Sequence, residues 1–79
     1  MELRRTQLTT GTQLSALELA VLKGIAKGLQ SKEIAVAICR SAGTVELYVR
    51  MLFAKFDARS RAHLVSLAIK SKVINPDDV

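Results

Sequence analysis

One amphipathic stretch, SAGTVELYVRMLFAKF from Ser41 to Phe56, restricts the fold of this chain more than any other segment. Its apolar residues recur at the period of an α-helix, at Val45, Val49, Leu52, Phe53 and Phe56. The five side chains therefore share one face and predict a helix of about residues 42–56 that packs against a core. Ser41 is suited to cap the start of this helix, and Asp57 to end it in a left-handed conformation.

Two more helices are predicted before this stretch. Ser15 and Glu18 have the spacing of a capping box, in which each side chain bonds to the backbone N–H of the other residue. A helical run of apolar residues follows, and Gly28 is suited to end that helix. Ser31 begins a second, short helix, SKEIAVAI. About three or four residues separate it from the helix of residues 42–56, which is the spacing of a helix-turn-helix motif.

A fourth helix is predicted after Ser60, and the Asn75-Pro76 pair prevents its continuation. The residues that turn inward from it are Leu64, Leu67 and Ala68. The predicted fold is therefore all-α, a four-helix helix-turn-helix domain of residues 14–74. A flexible arm of residues 1–13 precedes the domain, and a frayed tail of residues 75–79 follows it.

Charge indicates the class of partner. The net charge is +5, and residues 14–73 contain ten Lys or Arg against four acids. Such a basic domain favours nucleic acid as a partner, with a solvated basic surface as the alternative. The sequence has no apolar run of about 18 residues, so no membrane span or membrane partner is predicted. The single cysteine and the absence of a signal peptide predict a cytoplasmic location.

Few residues are suited to catalysis. Cys39 and His63 are the single cysteine and histidine, and no further Cys or acid lies at metal-ligand spacing from them. A thiol nucleophile is one reading of Cys39, but a small buried cysteine beside a turn is favoured. The chain also lacks a phosphate-binding glycine loop. We therefore predict no enzyme activity, no metal site and no cofactor.

The outer face of the helix of residues 42–56 is suited to DNA. Arg50 can donate two parallel hydrogen bonds to guanine in the major groove. Leu47, Tyr48 and Met51 are too apolar for a face that meets only water, and they suit thymine methyl groups or another protein. The residues suited to phosphate are Lys32, Ser41, Thr44, Lys55, Arg59 and Arg61.

The segments LSALELAVLKGIAKGLQSKEIA and SAGTVELYVRMLFAKFDARSRAHLVSLA resemble the LuxR-type, or GerE, helix-turn-helix domain, without gaps from Leu14 to about Ala68. The resemblance implies a DNA-binding domain of a transcription factor, which binds dyad DNA as a homodimer through its fourth helix. It places the base contacts on Glu46, Leu47 and Arg50. It places backbone contacts on positions that include Lys32, Thr44 and Lys55. It places the dimer interface on Leu64, Leu67, Ile69 and Lys70.

This sequence departs from the family pattern at three positions. The family commonly has a lysine in place of Glu46, a histidine in place of Tyr48 and an apolar residue in place of Arg40. Glu46 has three interpretations: a helix ion pair with Arg50, worth about 0.3 to 0.5 kcal/mol, readout of a cytosine amine, or weakened DNA binding.

We therefore predict a sequence-specific transcriptional regulator that binds duplex DNA. The alternative is a protein-interaction module, an anti-activator that binds another LuxR-type regulator and has lost strong DNA binding.

Overall fold

The computed structural model describes residues 14–79. Four α-helices follow one another in this range: α1 Ala16–Ala26, α2 Ser31–Ile38, α3 Ala42–Phe56 and α4 Arg61–Lys70, and a 3-10 helix, Pro76–Asp78, comes last. Residues 14–79 contain no strand, so the predicted all-α fold is confirmed. None of the four helices is long and apolar enough to cross a membrane. The arm predicted for residues 1–13 lies outside the described residues.

Serine side chains begin three of the four helices, as the sequence predicts. The Oγ of Ser15 accepts the backbone N–H of Glu18 at 3.1 Å, and the backbone N–H of Ser15 donates to Glu18 Oε1 at 2.9 Å. Ser41 and Ser60 each accept the N–H three residues ahead, at 3.1 and 3.0 Å. At α2 the carboxylate of Glu33 accepts the N–H of the residue before the helix at 2.7 Å. These bonds satisfy donors that a helix start otherwise leaves unpaired.

Left-handed residues end the first three helices. Gly28, Cys39 and Asp57 have φ values of 81°, 56° and 55°. In each case the following residue donates its N–H to the carbonyl five positions earlier, at 3.0 Å. This geometry reverses the chain within a few residues. As a result only residues 39–41 separate α2 from α3, which matches the predicted helix-turn-helix spacing.

The core lies between the four helices and is mainly aliphatic. The most completely buried large side chains are Val21, Leu22, Ile34, Val45, Leu52 and Leu64. The predicted stripe of α3 is buried at four positions, and Phe53 is half-buried against the same cluster. The stripe therefore fixes the rotation of α3 about its own axis, and with it the set of side chains that faces outward.

Gly24 sets the distance between α1 and α2. A Cβ built at this position would lie 2.7 Å from Cγ1 of Ile34, which is closer than carbon atoms approach in folded proteins. Ile34 is itself buried, so it has little room to move away. The absence of a side chain at Gly24 therefore allows the helix-turn-helix pair to pack closely on α1.

One prediction about the dimer interface is wrong. Leu64, predicted to lie in a dimer interface, is 0% exposed, because it shares the core-facing side of α4 with Ala68. It therefore offers no surface to a second copy. The tail of residues 75–79 contains the 3-10 helix, in which the N–H of Asn75 donates to Asp78 Oδ2 at 3.0 Å, and its fraying stays a prediction. Ile74, just before it, is buried in the core.

The interpretation of Cys39 as a buried cysteine is also wrong. The residue is exposed. It takes the left-handed conformation that ends α2. Periodicity does not predict its exposure, because the residue follows the last turn of the helix.

Candidate nucleic-acid interface

The outer face of α3 presents the three side chains predicted to contact bases. Glu46, Leu47 and Arg50 are all exposed, and the side chain of Leu47 remains 53% accessible. Apolar side chains of this size are usually covered, so an exposed leucine beside an arginine is suited to a mixed polar and apolar partner such as the edge of a base pair. The structure therefore brings these three residues to one accessible surface.

Exposed apolar residues extend beyond this trio. Met51 is 39% exposed, one turn along α3 from Leu47. Tyr48 is half-buried and packs against the core, so only part of it reaches the surface. Val36 of α2 is 80% exposed. The helix SKEIAVAI is apolar at most of its positions, so its pattern alone does not show which valine or isoleucine faces solvent.

The cations predicted to contact phosphate come from α2, α3 and the segment that begins α4. Lys32, Arg59 and Arg61 are exposed, and Lys55 is partly exposed in the last turn of α3. Both α2 and α4 pack directly on α3. The basic side chains therefore come from α3 itself and from segments that pack beside it.

Ser41 and Thr44 lie side by side at the start of α3. The Oγ of Ser41 accepts the N–H of Thr44 at 3.1 Å and lies 3.0 Å from Thr44 Oγ1, to which it donates. The contact between the two hydroxyls uses one of their protons, so one proton of the pair remains available to an external acceptor such as a phosphate oxygen.

Lys55 forms an ion pair with Glu18, a partner that the spacing of the two residues in sequence does not predict. Its ammonium donates to Oε1 of Glu18 at 3.0 Å, and Oε2 of the same carboxylate also lies 3.0 Å away. The side chain of Glu18 is only 5% exposed, whereas that of Lys55 is 36% exposed. Glu18 therefore has two structural roles, since it closes the capping box of α1 and joins the start of α1 to the end of α3.

The protein environment holds the pKa of Glu18 below its ordinary value. Burial, the largest single influence, acts in the opposite direction because it disfavours the charged carboxylate. The backbone N–H of Ser15, followed by the hydrogen bond and the positive charge of Lys55, outweighs that effect. Glu18 is therefore a carboxylate at neutral pH, and it neutralises a cation that would otherwise attract phosphate.

Glu46 points to α2 and α4 and not to Arg50. Its carboxylate accepts a hydrogen bond from the hydroxyl of Ser31, and Oε2 lies 4.0 Å from Nη2 of Arg61. Ser31 and Arg61 are the first residues of α2 and α4. The predicted ion pair with Arg50 is therefore not the arrangement found, because two donors from neighbouring helices reach the carboxylate.

His63 has a structural role at the start of α4. Its Nδ1 accepts the backbone N–H of Arg59 at 3.0 Å, while its own backbone N–H donates to Ser60. The imidazole thereby closes the turn that carries Arg59.

Comparison with known proteins identifies the family. The sequence pattern of the GerE family, described as "Bacterial regulatory proteins, luxR family", matches residues 12–68. The chain belongs to the LuxR family. The domain is 39% identical over 67 residues to the transcriptional regulatory protein YdfI of Bacillus subtilis, which covers 85% of this chain and 32% of that protein. It is also 39% identical over 62 residues to the oxygen regulatory protein NreC of Staphylococcus haemolyticus, which covers 78% of this chain and 29% of that protein.

A third relative extends the range of organisms. The probable transcriptional regulator ycf29 of Porphyra purpurea is 39% identical over 62 residues, which covers 78% of this chain and 30% of that protein. The LuxR-family domain thus spans about a third of the length of the relatives that it matches. No solved structure matches the chain significantly.

Proposed function

We propose that this LuxR-family domain acts in transcription regulation by inserting α3 into the major groove of duplex DNA. One observation carries the proposal. The buried stripe of α3 fixes the helix against the core, and the opposite face presents Leu47 and Arg50 to solvent. A rigid helix with an exposed arginine and an apolar neighbour is the type of surface that reads base edges.

The side chains have distinct roles in this proposal. Arg50 donates to O6 and N7 of a guanine, and Leu47 contacts the methyl group of a thymine. The hydroxyl of Thr44 and the charges of Lys32 and Arg59 bind phosphates and set the register of the domain on the duplex. Ser41 acts through Thr44, because its own hydroxyl caps α3.

A salt titration tests this function. The labelled probe is mixed-sequence duplex DNA, and fluorescence polarisation is measured from about 50 to 200 mM salt. The expected result is binding at micromolar protein that weakens steeply as salt rises, because each phosphate contact releases counterions. Absence of binding at 50 mM salt and micromolar protein refutes the proposal.

A charge-matched pair of variants tests the role of Arg50. Arg50→Ala removes a cation from the outer face of α3, and Lys27→Ala removes one just after α1, beside a groove between α1 and α2. On a selected preferred site, Arg50→Ala is expected to cost about 1 to 3 kcal/mol of binding free energy, which is the usual value of a base contact. Lys27→Ala is expected to have a much smaller effect. Equal losses on preferred and random DNA would restrict Arg50 to backbone contacts.

A homodimer on dyad DNA is the proposed assembly. After the exclusion of Leu64, the surface left for this contact on α4 comprises Leu67, Ile69 and Lys70, of which the two apolar residues are half-buried. Sedimentation equilibrium with and without a dyad duplex measures the stoichiometry. Two domains per duplex are expected, and one domain on every duplex tested contradicts the dimer.

The exposed apolar residues favour one competing function. Leu47 and Met51 together suit a protein surface as well as thymine methyl groups. In that case the domain is an anti-activator, which forms a stable complex with another LuxR-type regulator and binds DNA weakly. Isothermal titration of the domain against such a regulator, combined with the salt titration above, separates the two functions.

A further inference from the structure

Glu46 occupies a corner formed by the starts of α2 and α4. A single carboxylate oxygen, Oε2, both accepts from the hydroxyl of Ser31 and faces the guanidinium of Arg61. A serine hydroxyl and an arginine are among the side chains that bind phosphate oxygens in protein–DNA complexes. The carboxylate therefore makes the contacts that a DNA phosphate would make with the same two donors.

The corner has room for an external anion. Ser31 and Arg61 both line an open pocket of about 460 Å³ between α1, α2 and the start of α4. The side chains of Arg61 and Glu46 are 45% and 50% exposed. An ion pair this accessible adds little to stability, so it is able to open and exchange partners at small cost.

We propose that Glu46 is an internal competitor for a DNA phosphate at the corner formed by Ser31 and Arg61. The inference rests on the proposed DNA binding and assigns a regulatory contact within it. In the free protein, the carboxylate neutralises Arg61 and occupies the Ser31 hydroxyl. DNA binding then requires the carboxylate to leave, or proceeds without the contribution of this corner.

Removal of the negative charge has a defined consequence. Glu46→Gln keeps the shape of the side chain and a carbonyl acceptor for Ser31, but it releases the charge of Arg61. One additional phosphate contact steepens the dependence of log K on log salt by about 0.9. We therefore expect Glu46→Gln to bind mixed-sequence duplex DNA roughly three- to tenfold more tightly at 50 mM salt, with a gain that shrinks about threefold by 200 mM.

Glu33→Gln is the matched control. Glu33 is another exposed glutamate, in the first turn of α2, and glutamine preserves its capping bond to the chain before the helix. This variant measures the general effect of the loss of one negative charge. Arg61→Ala, alone and combined with Glu46→Gln, measures how much of the increase in DNA affinity depends on Arg61.

The experiment is a polarisation titration of these variants on mixed-sequence duplex DNA at several salt concentrations, with thermal melts to verify folding. The inference is supported if Glu46→Gln raises DNA affinity more than Glu33→Gln does, and if Glu46→Gln no longer raises it in the Arg61→Ala background. Equal gains for the two glutamine variants, or a gain that persists without Arg61, overturn it and leave the proposed DNA binding intact. If no variant binds DNA, both the DNA-binding function and this inference are overturned.

Discussion

Lys55→Met is the substitution that most directly tests how this small domain is held together. Methionine matches the length of the lysine chain and retains its apolar contacts, but it removes the ammonium 3.0 Å from both oxygens of Glu18. The carboxylate of Glu18 is then left nearly buried, with Ser15 as its remaining hydrogen-bond partner among the described residues. The free energy of unfolding should fall because an uncompensated charge remains in the folded protein.

The size of the loss follows from burial. Breaking a fully buried ion pair by removing one partner costs about 3 to 5 kcal/mol. Lys55 is 36% exposed, so water reaches part of the pair and the cost is reduced to about 2 kcal/mol. For a domain of this size, that change corresponds to a Tm lower by about 8 to 16 °C. Glu18→Gln keeps the capping bond and leaves the partly exposed ammonium hydrated, so it should cost only about 1 kcal/mol.

Thermal melts followed by circular dichroism, at neutral and acidic pH, measure both effects. In the wild type the folded-state pKa of Glu18 is lowered, so its contribution is present at neutral pH and is lost as the pH falls through that pKa. Lys55→Met removes the hydrogen bond and the positive charge of Lys55, which both lower the pKa of Glu18, so that pKa is higher than in the wild type and protonation should relieve the penalty on acidification. The reasoning is refuted if Lys55→Met costs no more than Glu18→Gln at neutral pH, or if the difference between them persists unchanged in acid.

Three further stability measurements are expected to follow the backbone geometry, each by denaturant unfolding. Gly24→Ala should lower the free energy of unfolding by about 1 to 3 kcal/mol, because the new Cβ overlaps Ile34; an unchanged value contradicts the close approach of α1 and α2. Ser60→Ala should cost about 1 kcal/mol through loss of the cap on His63 N–H, and no loss means that the cap is dispensable. Asp57→Gly should stabilise the domain by about 0.5 kcal/mol, because glycine adopts the left-handed conformation without strain. A lower stability for this variant would contradict the idea that Asp57 is strained in that conformation.

The helices were predictable from the sequence because their signals are local. Ser15, Ser41 and Ser60 each cap a helix through a donor three residues ahead, so a few adjacent residues contain the whole signal. Gly28 and Asp57 likewise end helices through their own backbone conformations. The apolar stripe of α3 was predictable for a similar reason, since one helical period determines which residues share a face.

The contacts between helices were not predictable in the same way. Glu18 and Lys55 are 37 residues apart in sequence, and Ser31 and Glu46 are 15 apart. A helical wheel places each residue on a face, but it does not show which neighbouring helix that face meets. Local spacing predicts that Glu46 pairs with Arg50, one turn away on the same helix. Its carboxylate instead contacts Ser31 of α2 and Arg61 of α4, because the packing of the three helices brings these donors close to it.

These contacts change the electrostatic interpretation of the domain. The net charge of +5 suggests that this domain presents a strongly basic surface to its partner. Yet Glu18 neutralises Lys55 and Glu46 neutralises Arg61, and both cations are predicted to bind DNA. Three of the predicted DNA-facing cations have no ion pair within residues 14–79: Lys32, Arg50 and Arg59.

The salt dependence of DNA binding shows whether Glu18 and Glu46 keep Lys55 and Arg61 away from phosphate when DNA is bound. Arg50 is proposed to contact a base, so Lys32 and Arg59 are the two unpaired cations left for phosphate, and they predict a slope of log K against log salt of about −1.8 per domain. If Lys55 and Arg61 also bind phosphate, the predicted slope is about −3.6. A wild-type slope near the smaller value, which steepens by about 0.9 in Glu46→Gln, indicates that internal ion pairs limit how many cations reach the phosphates. A slope near −3.6 for the wild type means instead that DNA displaces both carboxylates, so the ion pairs of the free protein do not persist in the complex.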